Sequence, residues 1–430
     1  MNELTLQRRW RIWLVLVLAF VTVFFHRLAM GAVADNLAVD LQMSATALGN
    51  LTAMNYYAYA AMQIPVGIMV DTIGVRKIST LGMLLTGLGS ILLGLATTLT
   101  TAYIARFLVG IGTSVIIVSI MKVQVQWFEP KSFSTLSGMT TFVGNIGALL
   151  ATFPLTYLVI RVGWRVSFHL MGLISIVLAG MIWMIVRDKV NEEDPLGKES
   201  QSYRDAFGGV KKVITNPYTW PPFMIMFNLV GSITAITGLW GIPYMMHVYR
   251  LEKESGAWYI AFISLGVIMG APLIGRLSDR LGGKVKPILL IATSLYTMLW
   301  VYMALSGGAP SLAVIPIIFL GIGVTMICHI LAFTNVKEVN DIRYCGSATA
   351  FINVGEFIGG SFLSLAIGFW LDRGWLGRMV NGVKVYEAEQ YQTVFWMIAF
   401  AGMISIISTL LMKDSVAQKE GKSAKGEAII

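Results

Sequence analysis

Apolar residues in this chain come in long blocks separated by short polar stretches, not in the alternation that marks one buried face of a soluble element. The blocks lie at 12–34, 46–70, 79–99, 103–126, 137–160, 166–186, 220–246, 256–275, 286–306, 311–334, 346–370 and 391–412. A helix rises about 1.5 Å per residue, so about 20 residues cross the roughly 30 Å of hydrocarbon in a bilayer. Hydrocarbon offers no partner to a free N–H or C=O, so such spans fold as helices. The pattern predicts an all-α integral membrane protein of about twelve spans, with both termini on one face.

Composition agrees. Charged residues are 13% of the chain and hydrophobic residues 56%, with a mean hydropathy of +0.72; soluble domains carry about twice that charge. Basic residues then orient the spans. Arg8, Arg9 and Arg11 precede the first block, Arg76 and Lys77 follow the second, and Arg276, Arg280, Lys284 and Lys286 surround the turn from the eighth to the ninth. Lys413, Lys419, Lys422 and Lys425 form the tail. Such residues concentrate in cytosolic loops, so both termini are expected in the cytosol, in a bacterial-type inner membrane.

The connection before the last block mixes Asp372, Arg373, Arg378, Lys384, Glu387 and Glu389 and is expected outside. This topology accounts for the net charge of +9, and no basic run with interleaved aromatics points to nucleic acid. No short apolar core with a cleavage site follows Arg8 and Arg9, so the first block reads as a retained helix rather than an export signal. Cys328 and Cys345 read as apolar packing, and no metal or cofactor is expected. The chain reads as a monomer set in the bilayer.

Gly67, Asp71, Gly74, Arg76 and Lys77 form a loop motif that recurs as Gly275, Asp279, Gly282 and Lys284, with Arg280 inside the second copy. The offset is constant (275 − 67 = 208) and also carries Gly138 to Gly346 and Asn145 to Asn353. The chain therefore reads as a duplication: six helices in 1–186, a polar cytosolic linker at 187–216, and six more in 217–430 with a short tail.

This pattern resembles the major facilitator superfamily over nearly the whole chain. The Gly67–Lys77 loop looks like its cytosolic signature, and Arg106, Gly110 and Gly112 look like its helix-four motif. A narrower resemblance, to the anion:cation symporters and organophosphate antiporters, rests on Phe25-His26-Arg27, Leu48-Gly49, Tyr59, Gln63 to Gly67, and Trp127-Phe128. It implies that Arg27 binds a carboxylate or phosphate. The symporters carry an acid before that arginine and another after the helix-four motif. This chain has His26 and then Thr113-Ser114, so coupling through those two acids is not expected.

Arg27 also stands out on its own. It lies roughly 22 Å into the first block, where a cation costs about 3 kcal/mol and must face protein or water. Glu356 is the one carboxylate near a predicted midplane, on a stripe with Asn353 and Gly360, and an acid in low dielectric suits a proton carrier. Its alternative is a structural partner for a buried group. His26 is the other proton-coupling candidate. Lys122 reads equally as a substrate contact or an interface anchor. His329, Asn145 and Asn353 are candidate lining residues. Trp240 and Tyr244 read as an aromatic wall near a bend made by glycines and Pro243, or as interfacial anchors. Gly67, Asp71, Gly74, Arg76, Arg106, Gly275, Asp279, Arg280 and Gly282 are assigned to conformational switching: Asp71 and Arg76 bridge helix ends, Gly67 allows a close approach and Gly74 a tight turn.

No phosphate-binding Gly-x4-Gly-Lys-Ser/Thr loop and no nucleophile–base set suggest an enzyme. The leading expectation is a secondary transporter of a small organic anion (carboxylate, sugar acid or phosphate ester), working by alternating access and proton-coupled. A drug or metabolite exporter on the same fold, and a non-transporting membrane anion sensor, are the alternatives.

Overall fold

The structure, a computed structural model, describes residues 3–128, 133–188, 203–281, 284–341, 344–380 and 382–413. It is predominantly helical: α1 (Glu3–Leu28), α2 (Met30–Asp40), α3 (Ala45–Ile73), α4 (Val75–Gly94), α5 (Leu99–Trp127), α6 (Phe133–Leu150), α7 (Phe153–Val162), α8 (Trp164–Ile185) and α9 (Tyr203–Thr215) come first. Then follow α10 (Trp220–Ile225), α11 (Gly231–Ala235), α12 (Gly241–Tyr249), α13 (Lys253–Arg280), α14 (Lys286–Leu305), α15 (Ile315–Met326), α16 (Ile330–Val339), α17 (Cys345–Arg373) and α18 (Ala388–Leu411). A two-stranded antiparallel hairpin, β1 (Met379–Val380) with β2 (Val383–Lys384), lies before α18.

Among the described residues, eleven helical stretches are long and apolar enough to cross a membrane. At 29 residues, α3 stands where the second span is expected. Four predicted spans differ from single regular helices; one is the fifth, which divides into α6 and α7 at Ala151 and Thr152. The first divides into α1 and α2 at Ala29. The seventh is one helical path through α10, α11 and α12, joined by π-helical turns at Met226–Val230 and Ile236–Trp240. The tenth passes from α15 to α16 through a 3₁₀ turn at Ile327–His329. Pro243 explains the second π turn, because it has no N–H to offer the Leu239 carbonyl one turn back. The 187–216 linker carries α9, whose Lys212 ammonium donates to the Tyr344 hydroxyl at 3.0 Å; Glu192, Glu193, Asp194 and Pro195 lie outside the described residues.

The chain falls into two compact units. One comprises Met1–Glu193, Ala235–Ala261 and Ser364–Tyr386; the other comprises Asp194–Thr234, Phe262–Leu363 and Glu387–Ile430. In the first, α4 lies so close to α5 that a methyl at Gly112 would meet Gly82 and Thr86. In the second, a methyl at Gly266 would meet Leu320 and Gly323, bringing α13 against α15. Small residues permit such approach where lipid supplies no hydrophobic drive between helices.

Candidate functional site

Arg27 sits at the last turn of α1, immediately before the break, and is 8% exposed. Its guanidinium carbon lies 5.0 Å from the centre of the Phe24 ring and 5.3 Å from that of Tyr59 on α3. Cation–π contact of this kind strengthens where water is excluded. The break is made by side chains that claim helix carbonyls. The Arg106 guanidinium, fully buried on α5, donates to the His26 carbonyl at 2.8 Å. The Tyr56 hydroxyl donates to the Arg27 carbonyl at 3.3 Å. Two successive carbonyls are thus satisfied from other helices, which is how a membrane helix tolerates an interruption. The π turn before Gly241 lies alongside: Gly31 of α2 abuts the Leu239 backbone, and Gly238 faces Leu28 and the Tyr56 hydroxyl.

His26 is fully buried beside Arg27, with its Nε2 3.5 Å from the Ser175 hydroxyl on α8. Asn145, half-buried, follows Gly144, which packs on the rings of Phe20 and Phe24; it belongs to the level of the Arg27 aromatics. Trp240 is 1% exposed and its indole donates to the Ser364 carbonyl at 3.0 Å. The Tyr244 hydroxyl lies 3.2 Å from that of Tyr249. Both expected wall residues are therefore engaged in packing here.

Lys122 is not brought to Arg27. It donates to the Val70 carbonyl at 3.0 Å, near the C-terminal end of α3, and lies roughly 24 Å along α5 from Arg106 by helical rise. A cation at a helix C-terminus meets carbonyls with no partner in the helix, which accounts for this contact.

In the second unit, His329 ends the 3₁₀ turn and its Nδ1 lies 3.0 Å from the Met326 carbonyl. Asn353 and Glu356 are half-buried on α17. The adjoining face of that helix, at Gly355 and Gly359, packs on Phe223 and the Phe227 backbone.

Of the residues assigned to switching from the sequence, Gly74 has φ +100° and separates α3 from α4, as a tight turn requires. Arg76 donates through Nε to the Trp183 carbonyl at 2.8 Å and stacks on that indole, so it caps the end of α8. The close approach expected at Gly67 is not seen among the described residues, none of which, its own stretch of helix aside, lies within 4 Å of where its Cβ would be. Asp71, Gly275 and Asp279 have helical backbone, their side chains lying outside the described set, as does the whole of Gly282; Arg280 is exposed.

One polar centre escaped the sequence reading. Asp372, in the last turn of α17, accepts from the backbone N–H groups of Ala45 at 3.3 Å and Thr46 at 2.7 Å, and from the Thr46 hydroxyl at 2.7 Å. It also accepts from Lys384 at 2.9 Å and Tyr386 at 3.2 Å. Nearby, Lys253 donates to Asn36 at 2.7 Å and lies 3.8 Å from the Asp35 carboxylate. The mixed charges between the last two spans were its only signal.

A sequence model of the Major Facilitator Superfamily matches residues 15–364. The chain is 26% identical over 289 residues to the uncharacterized transporter YybO of Bacillus subtilis, an alignment spanning 62% of this chain and 65% of that one. It is 23% identical to the membrane sensor protein UhpC of Salmonella typhimurium over 97% of this chain and 95% of UhpC. It is 24% identical to a probable L-galactonate transporter of Escherichia coli over 84% and 82% of the two chains. Among solved structures, an inward-facing, unoccupied bacterial homolog of the human lysosomal transporter Spinster is similar at TM-score 0.72 and 16% identity, covering 95% of this chain and 98% of that one. A D-xylose–proton symporter is similar at TM-score 0.72 and 15% identity, covering 94% and 97%. At these identities the structural likeness concerns the fold.

Proposed function

The chain belongs to the Major Facilitator Superfamily, and from that premise we propose that it is a secondary active transporter of a small organic anion, a sugar acid or a phosphate ester, working by alternating access in a bacterial inner membrane with both termini in the cytosol. The observation that carries the anion is Arg27: a buried guanidinium against two aromatic rings at the interruption of a spanning helix. A planar fork of donors matches a carboxylate or phosphate through two parallel bonds. The regular helix is interrupted at Ala29 just after it and resumes at Met30, and irregular backbone at membrane depth is tolerated where it is buried in protein or lines a site.

The L-galactonate relative supports a sugar acid. Asn145, Trp240, Tyr244, His329 and Asn353 are the proposed lining residues. Lys122 joins them only in a state where it leaves Val70. Glu356, or else His26, carries the proton. The two repeats, 1–186 and 217–430, are the pseudo-symmetric halves of the cycle, with Asp71, Asp279, Arg76 and Arg280 acting on the cytosolic side. The chain acts as a monomer.

Uptake by purified protein in liposomes, over a panel of hexonates, hexuronates and sugar phosphates, tests this reading with Arg27→Ala as control. Saturable uptake lost in the variant supports it. Transport of uncharged compounds indifferent to Arg27 would make the protein an exporter of the drug or metabolite kind. Binding without uptake would make it a sensor, as the relative UhpC is named.

A further inference from the structure

Helix α3 begins at Ala45 with its first N–H groups pointing out of the helix, and they are satisfied in two ways. The Ser44 hydroxyl accepts from Ala47 at 3.2 Å, an ordinary cap from the neighbouring residue. The Ala45 and Thr46 groups are taken instead by Asp372, more than three hundred residues along the chain. A carboxylate there meets both unpaired donors and the positive end of the helix dipole. The same carboxylate gathers Lys384 and Tyr386 from the hairpin side. Burial, and then the Asp372 charge, push the Tyr386 phenol well above its ordinary range, so it stays a donor.

The helices beneath are in close contact. A methyl at Gly49 would lie 2.6 Å from the Ser364 carbonyl oxygen, and one at Gly368 would meet Ala45 and Trp240. Below the hairpin a cavity of about 20 Å³, lined in part by Ala34, Asp35, Trp240, His247 and Tyr386, has room for about one water.

We propose that Asp372 is the outer latch of this transporter: by capping α3 and tying in the hairpin it holds α17 against α3, and the outer face opens when that cap is released. Asp372 is a positioning residue, remote from Arg27, which acts on the balance between states rather than on the bound anion. The proposal rests on the alternating-access reading above, but its test needs no substrate.

The probe is a cysteine at Ala34, 1% exposed beneath the hairpin, in a Cys328→Ala, Cys345→Ala background, labelled from the outside of intact spheroplasts with a membrane-impermeant maleimide. Asp372→Asn weakens the cap and keeps the size of the side chain. The expected result is labelling of Ala34→Cys at least about fivefold faster, with Thr46→Val giving a smaller increase and adding nothing to Asp372→Asn. As a control, Ser90→Cys, buried in the same unit near the outer end of α4, stays unreactive. Equal rates with and without Asp372→Asn overturn the proposal. So does labelling of Ser90→Cys in step with Ala34→Cys, which indicates general loosening. If Asp372→Asn does not accumulate, the same readout on Thr46→Val with Lys384→Met decides. An unchanged rate leaves the Arg27 assignment standing; loss of anion uptake in Arg27→Ala with unaltered labelling leaves the latch standing.

Discussion

Replacing Arg27 by lysine keeps the charge and removes the plane. In the structure the guanidinium carbon lies 5.0 and 5.3 Å from the centres of the Phe24 and Tyr59 rings. An ammonium can make one strong bond to a carboxylate where the fork makes two. The missing charge-assisted bond is worth about 1.5–3 kcal/mol, or about 10- to 150-fold in affinity. Part of the stacking survives, because an ammonium also sits against rings, so the loss of the second bond sets the lower bound. The measurement is the dissociation constant of the best-transported sugar acid by calorimetry, alongside counterflow in liposomes. Arg27→Lys should bind at least about tenfold more weakly, and Arg27→Ala should neither bind nor transport, while both keep the wild-type thermal midpoint to within a few degrees. A lysine variant that binds within about threefold of wild type refutes the bidentate argument, and an alanine variant that transports normally removes Arg27 from the site.

Glu356→Gln should abolish proton-driven accumulation and spare exchange of substrate for substrate, since glutamine mimics the protonated acid and cannot release a proton; retained accumulation in a pH-gradient assay would pass the role to His26. Asp71→Asn or Asp279→Asn should slow turnover while changing affinity by less than about tenfold, roughly 1.4 kcal/mol, and lost binding with unchanged turnover kinetics would reverse that assignment. Gly359→Ala places a methyl 2.7 Å from the Phe227 carbonyl carbon and should cost about 1–3 kcal/mol by overpacking, seen as a lower thermal midpoint. Gly67→Ala enters open space and should leave the midpoint unchanged.

What could be read from the sequence was what a bilayer imposes locally. Run length set the spans, because a helix of about 20 residues is the solution hydrocarbon permits, and depth alone marked Arg27. The 208-residue offset of the loop motif likewise exposed the duplication. Interactions between distant residues were silent. The break at Ala29 has no glycine or proline at its centre; it depends on Arg106 and Tyr56, which reach it from other helices. Asp372 looked like one charge among several until the fold set it on the end of α3. The π turns in the seventh span were half visible, since Pro243 and the glycines announced a bend but not its form. Lys122 kept two readings because the carbonyl it holds belongs to Val70, on another helix.

The interruption of the first span has a consequence for biogenesis. A nascent chain that holds only the first apolar run has no donor for the His26 and Arg27 carbonyls except its own backbone, so in the membrane it must begin as one continuous helix. Tyr56 arrives with the second span and Arg106 with the fourth. The interruption has both of its side-chain contacts only after both are inserted, which makes its completion a late event of assembly. Arg27 can meet Tyr59 once the second span arrives, whereas a chain truncated before the fourth span would lack the Arg106 contact to the His26 carbonyl.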